Sequence, residues 1–429
     1  MYHRRHVKLS PMPKELKELE PLINKCVLCG GCHPDCPTYT LSRYEHDAAR
    51  GKVLLAQALL KGELPPSPEL AQKFDHCLTC MACTQACPAG ADPAKVIVAA
   101  RNEVRKGIGG GFIRNFIFAK ILPNRLAMPF LAAAMKIGSR LFSILPWLPG
   151  MGKFTVGGDK KILPEFFTTS LKSEYPQVVP AAGKRLMRVA YFTGCMADWV
   201  FQKSGRGVIG ILSSAGADVL LVKDEVCCGA PAYFSGDMVN AGLMAEKNLK
   251  AFMAMEVDYI VTSCATCGSV LKEIYPELLG GADAQKFSAK IIDFQKLLVD
   301  RLMPKIPAPT GAEPKIKVTY HDPCHLSRGM KVVAEPHRLL QKLPGVEYVE
   351  MADANACCGG AGTFSASFYA DSLEIGKRKA QNIMASGAQI VVTECPSCQM
   401  QLMDLMARYA PGVKVLHTAE LLAKVLTGR

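Results

Sequence analysis

Eighteen cysteines, all in four tight groups, are the residues of this chain whose type and spacing can do chemistry. Cys26, Cys29, Cys32 and Cys36 form one row, closed by Pro37; Cys77, Cys80, Cys83 and Cys87 form a second with the same spacing, closed by Pro88. Thiolate sulfur is a soft metal ligand, and C-x2-C-x2-C-x3-C-P, given twice, is spacing that holds a pair of 4Fe–4S clusters. Three closely spaced thiolates wrap three corners of a cube. The fourth, ahead of its proline, is turned away toward the other cube. The expected sets are therefore crossed, Cys26, Cys29, Cys32 and Cys87 for one cluster and Cys77, Cys80, Cys83 and Cys36 for the other. Zinc fits poorly, because its four ligands come as two separated pairs.

The other ten cysteines are a duplication. Cys195, Cys227, Cys228, Cys264 and Cys267 recur as Cys324, Cys357, Cys358, Cys395 and Cys398, at offsets of 129, 130 and 131 residues. Such a repeat identifies a metal-binding module present twice. Side chains of adjacent cysteines diverge unless the backbone turns sharply, and the glycines after each pair, Gly229 and Gly359-Gly360-Ala361-Gly362, permit the turn. Five thiolates exceed the four of a cubane cluster. Either one is spare, or the cluster is a non-cubane form with a bridging cysteine.

The elements that must position these groups follow from pattern. Between the two rows, 48–60 places Ala49, Val53, Ala56 and Leu60 at helical spacing before Pro65, Pro66 and Pro68 break it. In the first module, strands are expected at 189–192, 218–222 and 259–261, with helices at 208–212, 238–253 and after Cys264. In the second, strands are expected at 317–320, 347–351 and 390–393, with helices at 331–343 and 371–386. This alternation implies small parallel α/β units. Each cysteine group follows a strand, so five thiolates are expected to converge on one crevice per copy, at the carboxyl ends of the strands. A proline-rich joint at 303–314 separates the copies, and an irregular linker is expected at 146–183. The fold class is thus multi-domain α+β: a helical two-cluster domain (1–103), a basic connector and linker (104–185), then cysteine-rich α/β domains at 186–305 and 306–429.

Composition bounds the function. With 429 residues, 49% hydrophobic and 21% charged, the chain is globular and too long for one core. The segment 1–20 is polar, without the apolar stretch of a signal peptide. Eighteen cysteines without an export signal point to metal-bound thiolates rather than disulfides. The formal charge of +13 omits the negative charge of such thiolates, and no aromatic–basic interleaving suggests a nucleic-acid platform. No acidic residue occurs in 104–158, where Arg105, Lys106, Arg114, Lys120, Arg125, Lys136, Arg140 and Lys153 lie. There Leu126, Phe130, Ile137 and Leu141 share one helical face, as in a connector packed on its own chain or a partner, or in a helix lying in an anionic membrane interface. Its uncharged runs are too short to span a bilayer.

No dinucleotide fingerprint or phosphate loop is present: Gly359-Gly360-Ala361-Gly362 lacks the spacing, and Gly109-Gly110-Gly111 follows no strand. Two-electron oxidation of an organic substrate therefore falls to a cofactor on another chain. His76, His321 and His325 lie beside cysteines, either as packing residues or as donors to cluster sulfur. Asp198, Asp322 and Glu394 lie near cysteines too, without forming a recognisable acid–base pair, and no catalytic residue is assigned.

Two ferredoxin rows followed by two copies of C…CCG…C-x-x-C resemble the iron–sulfur subunit of glycolate oxidase and related bacterial lactate dehydrogenases, with the row domain resembling the helical ferredoxin domain of respiratory iron–sulfur subunits. The same modules occur in the anaerobic glycerol-3-phosphate dehydrogenase iron–sulfur subunit and in the catalytic subunit of heterodisulfide reductase. Cys357-Cys358-Gly359-Gly360-Ala361-Gly362-Thr363-Phe364 and Cys395-Pro396-Ser397-Cys398 look most like the glycolate/lactate branch. Some members of that branch have lost module cysteines. This chain has kept them all, as the heterodisulfide branch does. The resemblance implies an electron-transfer subunit of a flavin-dependent 2-hydroxyacid dehydrogenase, taking electrons from an FAD-bearing partner and passing them to a quinone or other acceptor. It also implies two 4Fe–4S clusters in the ferredoxin domain and one further cluster per cysteine-rich domain. The alternative is a catalytic subunit that cleaves a disulfide at the CCG cluster. The expected location is cytoplasmic, with peripheral contact at the inner face of the cytoplasmic membrane as a variant.

Overall fold

The computed structural model describes residues 15–144, 155–156, 159–302 and 315–427, with backbone alone at 139–144, 155–156, 159–160 and 427. The proline-rich joint at 303–314 and Lys153 lie outside the described residues, as do the side chains of Arg140 and Leu141.

Helices Ala49–Leu60, Pro68–Asp75 and Pro93–Ile108 build the N-terminal part. They pack over Val53, Ala56, Phe74, Ile97, Ala100 and Val104. Two of them open on a cap followed by proline, a position where the missing N–H costs nothing. Ser67 accepts from the Leu70 amide, and Asp92 from the Lys95 amide, both at 3.2 Å. Pro68 thus starts a helix as well as ending the preceding pattern. The boundary expected at 103/104 falls inside Pro93–Ile108. Nothing interrupts that helix before Gly109, which caps it at φ 76°.

Eleven strands follow among the described residues. β1 (Thr155–Val156) and β2 (Asp159–Lys160) form a small antiparallel ribbon. β3 (Val178–Val179), β4 (Met187–Phe192), β5 (Ala217–Leu221), β6 (Tyr259–Thr262) and β7 (Ile291–Asp293) form one sheet, in the order β3-β5-β4-β6-β7. β8 (Ile316–Tyr320), β9 (Val346–Tyr348), β10 (Ile390–Thr393) and β11 (Lys414–His417) form the other, in the order β11-β10-β8-β9. All pairs in these two sheets are parallel except β3 on β5. The order β5-β4-β6-β7 repeats as β9-β8-β10-β11, so the duplication is one of fold as well as of sequence. Val189, Ala190, Tyr191 and Phe192 are all buried, as is the whole of β10. That is the signature of parallel strands covered on both faces. Five strands, β1, β2, β3, β7 and β11, were not expected, and β9 ends at Tyr348 where strand was expected to 351. These short edge strands hold too few residues to show a period. β1, β2 and β3 all lie within the expected linker, and β3 belongs to the first module's sheet.

The two modules share their cores. One apolar cluster joins Phe192, Phe252 and Tyr275 to Leu373, Val391 and Leu402; another joins Val189, Tyr191 and Leu212 to Tyr320, Val392 and Leu422. The C-terminal helix Thr418–Thr427 lies against Gln202–Ser214 of the first module so closely that a Cβ on Gly207 would stand 2.7 Å from the Ala419 carbonyl oxygen. Arg101, buried, ties the N-terminal part to the first module, donating to the carbonyls of Phe74 and Cys77 and to that of Phe234.

The basic connector is a bent helical hairpin, Phe112–Ile121 followed by Arg125–Gly138 at 117°. Phe118 and Leu122 enter the first module's core, and Ala132 packs with Trp199 and Phe201. Leu126, Phe130 and Ile137, the expected helical face, point outward and are exposed. No single helix among the described residues is long and apolar enough to cross a membrane.

Gly207 provides a test of this shared core. Gly207→Val should lower the thermal unfolding midpoint, since over-packing a closed contact costs about 1–3 kcal/mol. Gly210→Ala in the same helix, where an added Cβ meets nothing within 4 Å, should be neutral or stabilising by up to about 1 kcal/mol. Equal behaviour of the two variants would show that the modules are not in contact there.

Candidate metal centres

The two rows fold alike, down to the backbone. Leu28 (φ 57°) and Thr79 (φ 50°), each two residues after the first cysteine of its row, are left-handed, as are Gly30 (φ 79°) and Met81 (φ 60°) two residues later. Non-glycine residues rarely hold that conformation, and they do so where a site over-determines the chain. Here the turn aims amides at sulfur: Thr79 N–H approaches Cys77 Sγ at 3.4 Å, and Gly31 N–H approaches Cys29 Sγ at 3.5 Å.

Two enclosed spaces result. One is bounded by Cys26, Cys29, Cys32 and Cys87, with Arg50 at its wall. The other is bounded by Cys77, Cys80, Cys83 and Cys36, with Lys52. These are the crossed sets, and Cys83 borders both spaces. All eighteen cysteines are unpaired thiols. Four convergent thiols around each void suit a 4Fe–4S cube in number and chemistry.

The ten module cysteines are arranged differently from expectation. They do not open on one crevice per copy. They line a single cavity of about 230 Å3 between the modules, shared with Leu78, Thr79, Phe234, His321 and His325. Within it the sulfurs form a string in which each neighbours the next: Cys195, Cys227, Cys228, Cys267, Cys264, then Cys395, Cys398, Cys358, Cys357, Cys324. The second half retraces the first in reverse. The junction is Cys264 with Cys395, whose sulfur lies 3.5 Å from Thr266 Oγ1. The carboxyl ends of the two sheets face each other, and sequence periodicity carries no information about that docking.

Burial makes these thiols reluctant to ionise alone. It pushes Cys80 up to about 12, with Cys324 adding to the effect, and raises Cys83. Cys195 is raised by its hydrogen bond with Cys227 and then by burial. A bound metal reverses this, because coordination needs the thiolate and supplies the opposing charge. Buried lysines assist. Lys52 Nζ donates to the Asp47 carbonyl at 2.6 Å beside Cys36 and Cys77. Lys379, held by the Ala354 carbonyl at 3.0 Å, lies near Cys358, and burial brings it down to about 8. Lys172 bridges Asp198 and Glu225, both at 3.6 Å, next to Cys195 and Cys227. None of the three was anticipated, since a lysine in sequence reads as surface. Arg328 was missed for the same reason; it donates to the Cys80 carbonyl at 3.2 Å and the Asn355 carbonyl at 2.9 Å, clasping a row to a module.

The three histidines separate. His76 is satisfied by Asp47 at 2.8 Å and Asp371 at 3.0 Å and packs on Phe364 and Phe368. It is a packing residue. His325 Nε2 meets the Thr79 carbonyl at 3.2 Å. His321 is buried, and neither of its ring nitrogens meets a nitrogen or oxygen partner; it lies against the Cys358 thiol. Of the acids, Asp322 pairs with His337 at 2.9 Å, and that bond draws the imidazole pKa above its ordinary value. Glu394 is wholly buried, and burial holds its carboxyl well above the usual range. None faces a substrate-sized space together with a partner base.

Comparison with known proteins agrees with this anatomy. A 4Fe-4S dicluster domain matches residues 22–91, and a cysteine-rich domain matches 189–272 and again 318–403. The chain is 29% identical to a probable glycolate oxidase iron–sulfur subunit of Bacillus subtilis, over 95% of each. It is 34% identical to lactate utilization protein A of Oceanobacillus iheyensis, over 55% of this chain and 96% of that one. A fumarate reductase (CoM/CoB) subunit from Methanothermobacter marburgensis is 28% identical over 88% of this chain and 78% of its own length. The chain belongs to the family of iron–sulfur subunits that join a 4Fe–4S dicluster domain to two cysteine-rich domains, as in the glycolate oxidase subunit. It is an oxidoreductase subunit whose N-terminal domain holds two 4Fe–4S clusters.

The crossed spaces predict crossed damage. Cys36→Ser should alter the spectroscopic signal of the cluster at Cys77, Cys80 and Cys83 and spare the other, although residue 36 belongs to the first row. Loss confined to the cluster of Cys26, Cys29 and Cys32 would show that the ligand sets are not exchanged.

Proposed function

We propose that this chain is the electron-transfer subunit of a flavin-dependent 2-hydroxyacid dehydrogenase, receiving electrons from an FAD-bearing partner and delivering them to a quinone or similar acceptor. The observation that supports this most is that the thiol sets form one unbroken row through the molecule. Cys83 borders both ferredoxin spaces, Cys80 is near enough to Cys324 to raise its own pKa, and Cys264 touches Cys395. Four sites follow in sequence: Cys26, Cys29, Cys32 and Cys87; Cys77, Cys80, Cys83 and Cys36; then Cys324, Cys357, Cys358, Cys395 and Cys398; then Cys195, Cys227, Cys228, Cys264 and Cys267. Iron–sulfur clusters bound at these sites supply one-electron acceptance and release. The residues around them exclude water, set the spacing and place buried lysines beside the thiolates. The glycolate and lactate names of relatives support the hydroxyacid, and the lack of a flavin or nucleotide motif leaves hydride chemistry to the partner.

A second reading rests on the shared cavity. Both modules bring their thiols to one shared space, where a disulfide-cleaving site would have to lie, and one relative is named as a CoM/CoB fumarate reductase subunit. Iron content and one substitution decide. Protein prepared anaerobically should hold about 16 irons, four per cluster; about 8 would mean that only the rows are loaded and the modules are outside the electron path. Cys358→Ser should abolish hydroxyacid-to-acceptor turnover in the complex while the partner flavin is still reduced by substrate. Reduction of a small disulfide by the isolated, chemically reduced protein, lost on Cys358→Ser, would replace the first reading by the second.

The hairpin suits delivery to a membrane-borne acceptor. Phe112 is 85% exposed, Phe130 77%, and Ile113, Phe116, Leu126 and Ile137 are exposed with them, in a stretch that has basic residues and no acidic one. An apolar face with cationic flanks complements an anionic lipid surface. The paired variant Phe112→Ser, Phe130→Ser should lose binding to vesicles containing an anionic lipid, while iron content stays unchanged. Unchanged vesicle binding, or loss of association with the flavoprotein instead, would assign the hairpin to the partner subunit.

A further inference from the structure

The two modules are copies, yet their metal positions are not equivalent. Strand register aligns them residue for residue: Tyr191 of β4 pairs with Val261, and Tyr320 of β8 with Val392. The next residue is Phe192 in the first module and His321 in the second. Phe192 packs on Phe252, with ring centroids 5.4 Å apart, as an ordinary core aromatic. His321 is equally buried, 1% exposed, but neither of its nitrogens meets a nitrogen or oxygen partner, and its polar neighbour is the Cys358 thiol. A buried polar group left without a partner costs roughly 1–3 kcal/mol, which makes a neglected imidazole a poor replacement for phenylalanine unless something else meets it. A ring nitrogen of His321 and the sulfurs of Cys358 and Cys398 all lie within 4.8 Å of one another, with all three residues buried. Among the described residues no other trio of His, Cys, Asp or Glu meets that geometry.

We propose that His321 contributes a nitrogen in direct contact with the cluster of the C-terminal module, at Cys358 and Cys398, a donor that the N-terminal module replaces with Phe192. This rests on the reading that the modules hold iron–sulfur clusters. Histidine is a neutral donor where every other is a thiolate. Exchanging thiolate character for imidazole, or adding a donor toward sulfur, raises a cluster's reduction potential. The C-terminal module, which adjoins Cys80 through Cys324, then becomes the more readily reduced of the two copies. Duplication supplied two similar cages, and one side chain at the end of one strand makes them unequal.

The test is spectroscopic and begins with unaltered protein. Full-length protein with a full iron complement, reduced stepwise, should show nitrogen hyperfine coupling on one module cluster, and labelling histidine with 15N should change that coupling. In His321→Phe, the residue the first copy already accommodates, the coupling should vanish and the midpoint potential of that cluster alone should fall, at unchanged iron content. Fully loaded protein without histidine coupling overturns this inference and leaves the relay reading standing. Protein whose modules hold no iron overturns both. If His321→Phe does not fold, the labelling result on the unaltered chain still decides.

Discussion

Charge governs this molecule. Eighteen thiols are gathered into a row of contiguous sites, most of them away from water, and burial pushes thiols such as Cys80 and Cys83 toward the neutral form. Ionising so many neighbours in a medium of low polarity is unfavourable unless cations stand among them. The two rows, the duplicated modules and the buried Lys52, Lys172 and Lys379 all answer that constraint. In the two rows, metal is then as much a folding partner as a redox cofactor, since those cages cannot exist in charged form without it.

The same constraint explains why the modules are fused through their cores. A single α/β unit with four short parallel strands leaves its carboxyl edge, where the loops and cysteines gather, open to solvent. Setting two such edges against each other closes both. The shared apolar clusters and the Gly207 contact with Ala419 hold that closure, and the sulfur string crosses it at Cys264 and Cys395. Arg101 and Arg328 then fix the ferredoxin part to each module in turn through backbone carbonyls.

On the proposed relay, the symmetry of the modules would make a path, and departures from symmetry would give it direction. The modules agree in strand order, cysteine spacing and sulfur contacts, but not at Phe192 and His321, nor at Ser263 and Glu394, nor at Thr193 and Asp322. The ionisable member of each pair lies in the second copy, the copy whose Cys324 adjoins Cys80 of the ferredoxin part. Two identical sites would divide an electron evenly between them.

Much of this was open to reading in the sequence, and for a plain reason. Cluster ligation is local: three thiolates within seven residues, or two adjacent cysteines and a glycine, specify a cage by spacing alone. The crossed sets, the duplication, the alternation of strand and helix and the position of each cysteine at a strand end all follow from short-range geometry. What the sequence could not decide is how these units meet. The merging of two crevices into one cavity, the burial of Lys52, Lys172 and Lys379, and the clasp of Arg328 all depend on contacts between residues far apart in the chain. The edge strands β3, β7 and β11 were illegible because a strand of two to four residues has no period; the neighbouring strand's open hydrogen bonds call it into being. His76, His321 and His325 look alike in sequence, each close to a cysteine. Only the tertiary structure surrounds the first with carboxylates, gives the second nothing but sulfur and hands the third a carbonyl, because partners for a buried nitrogen come from whichever elements the fold brings to it.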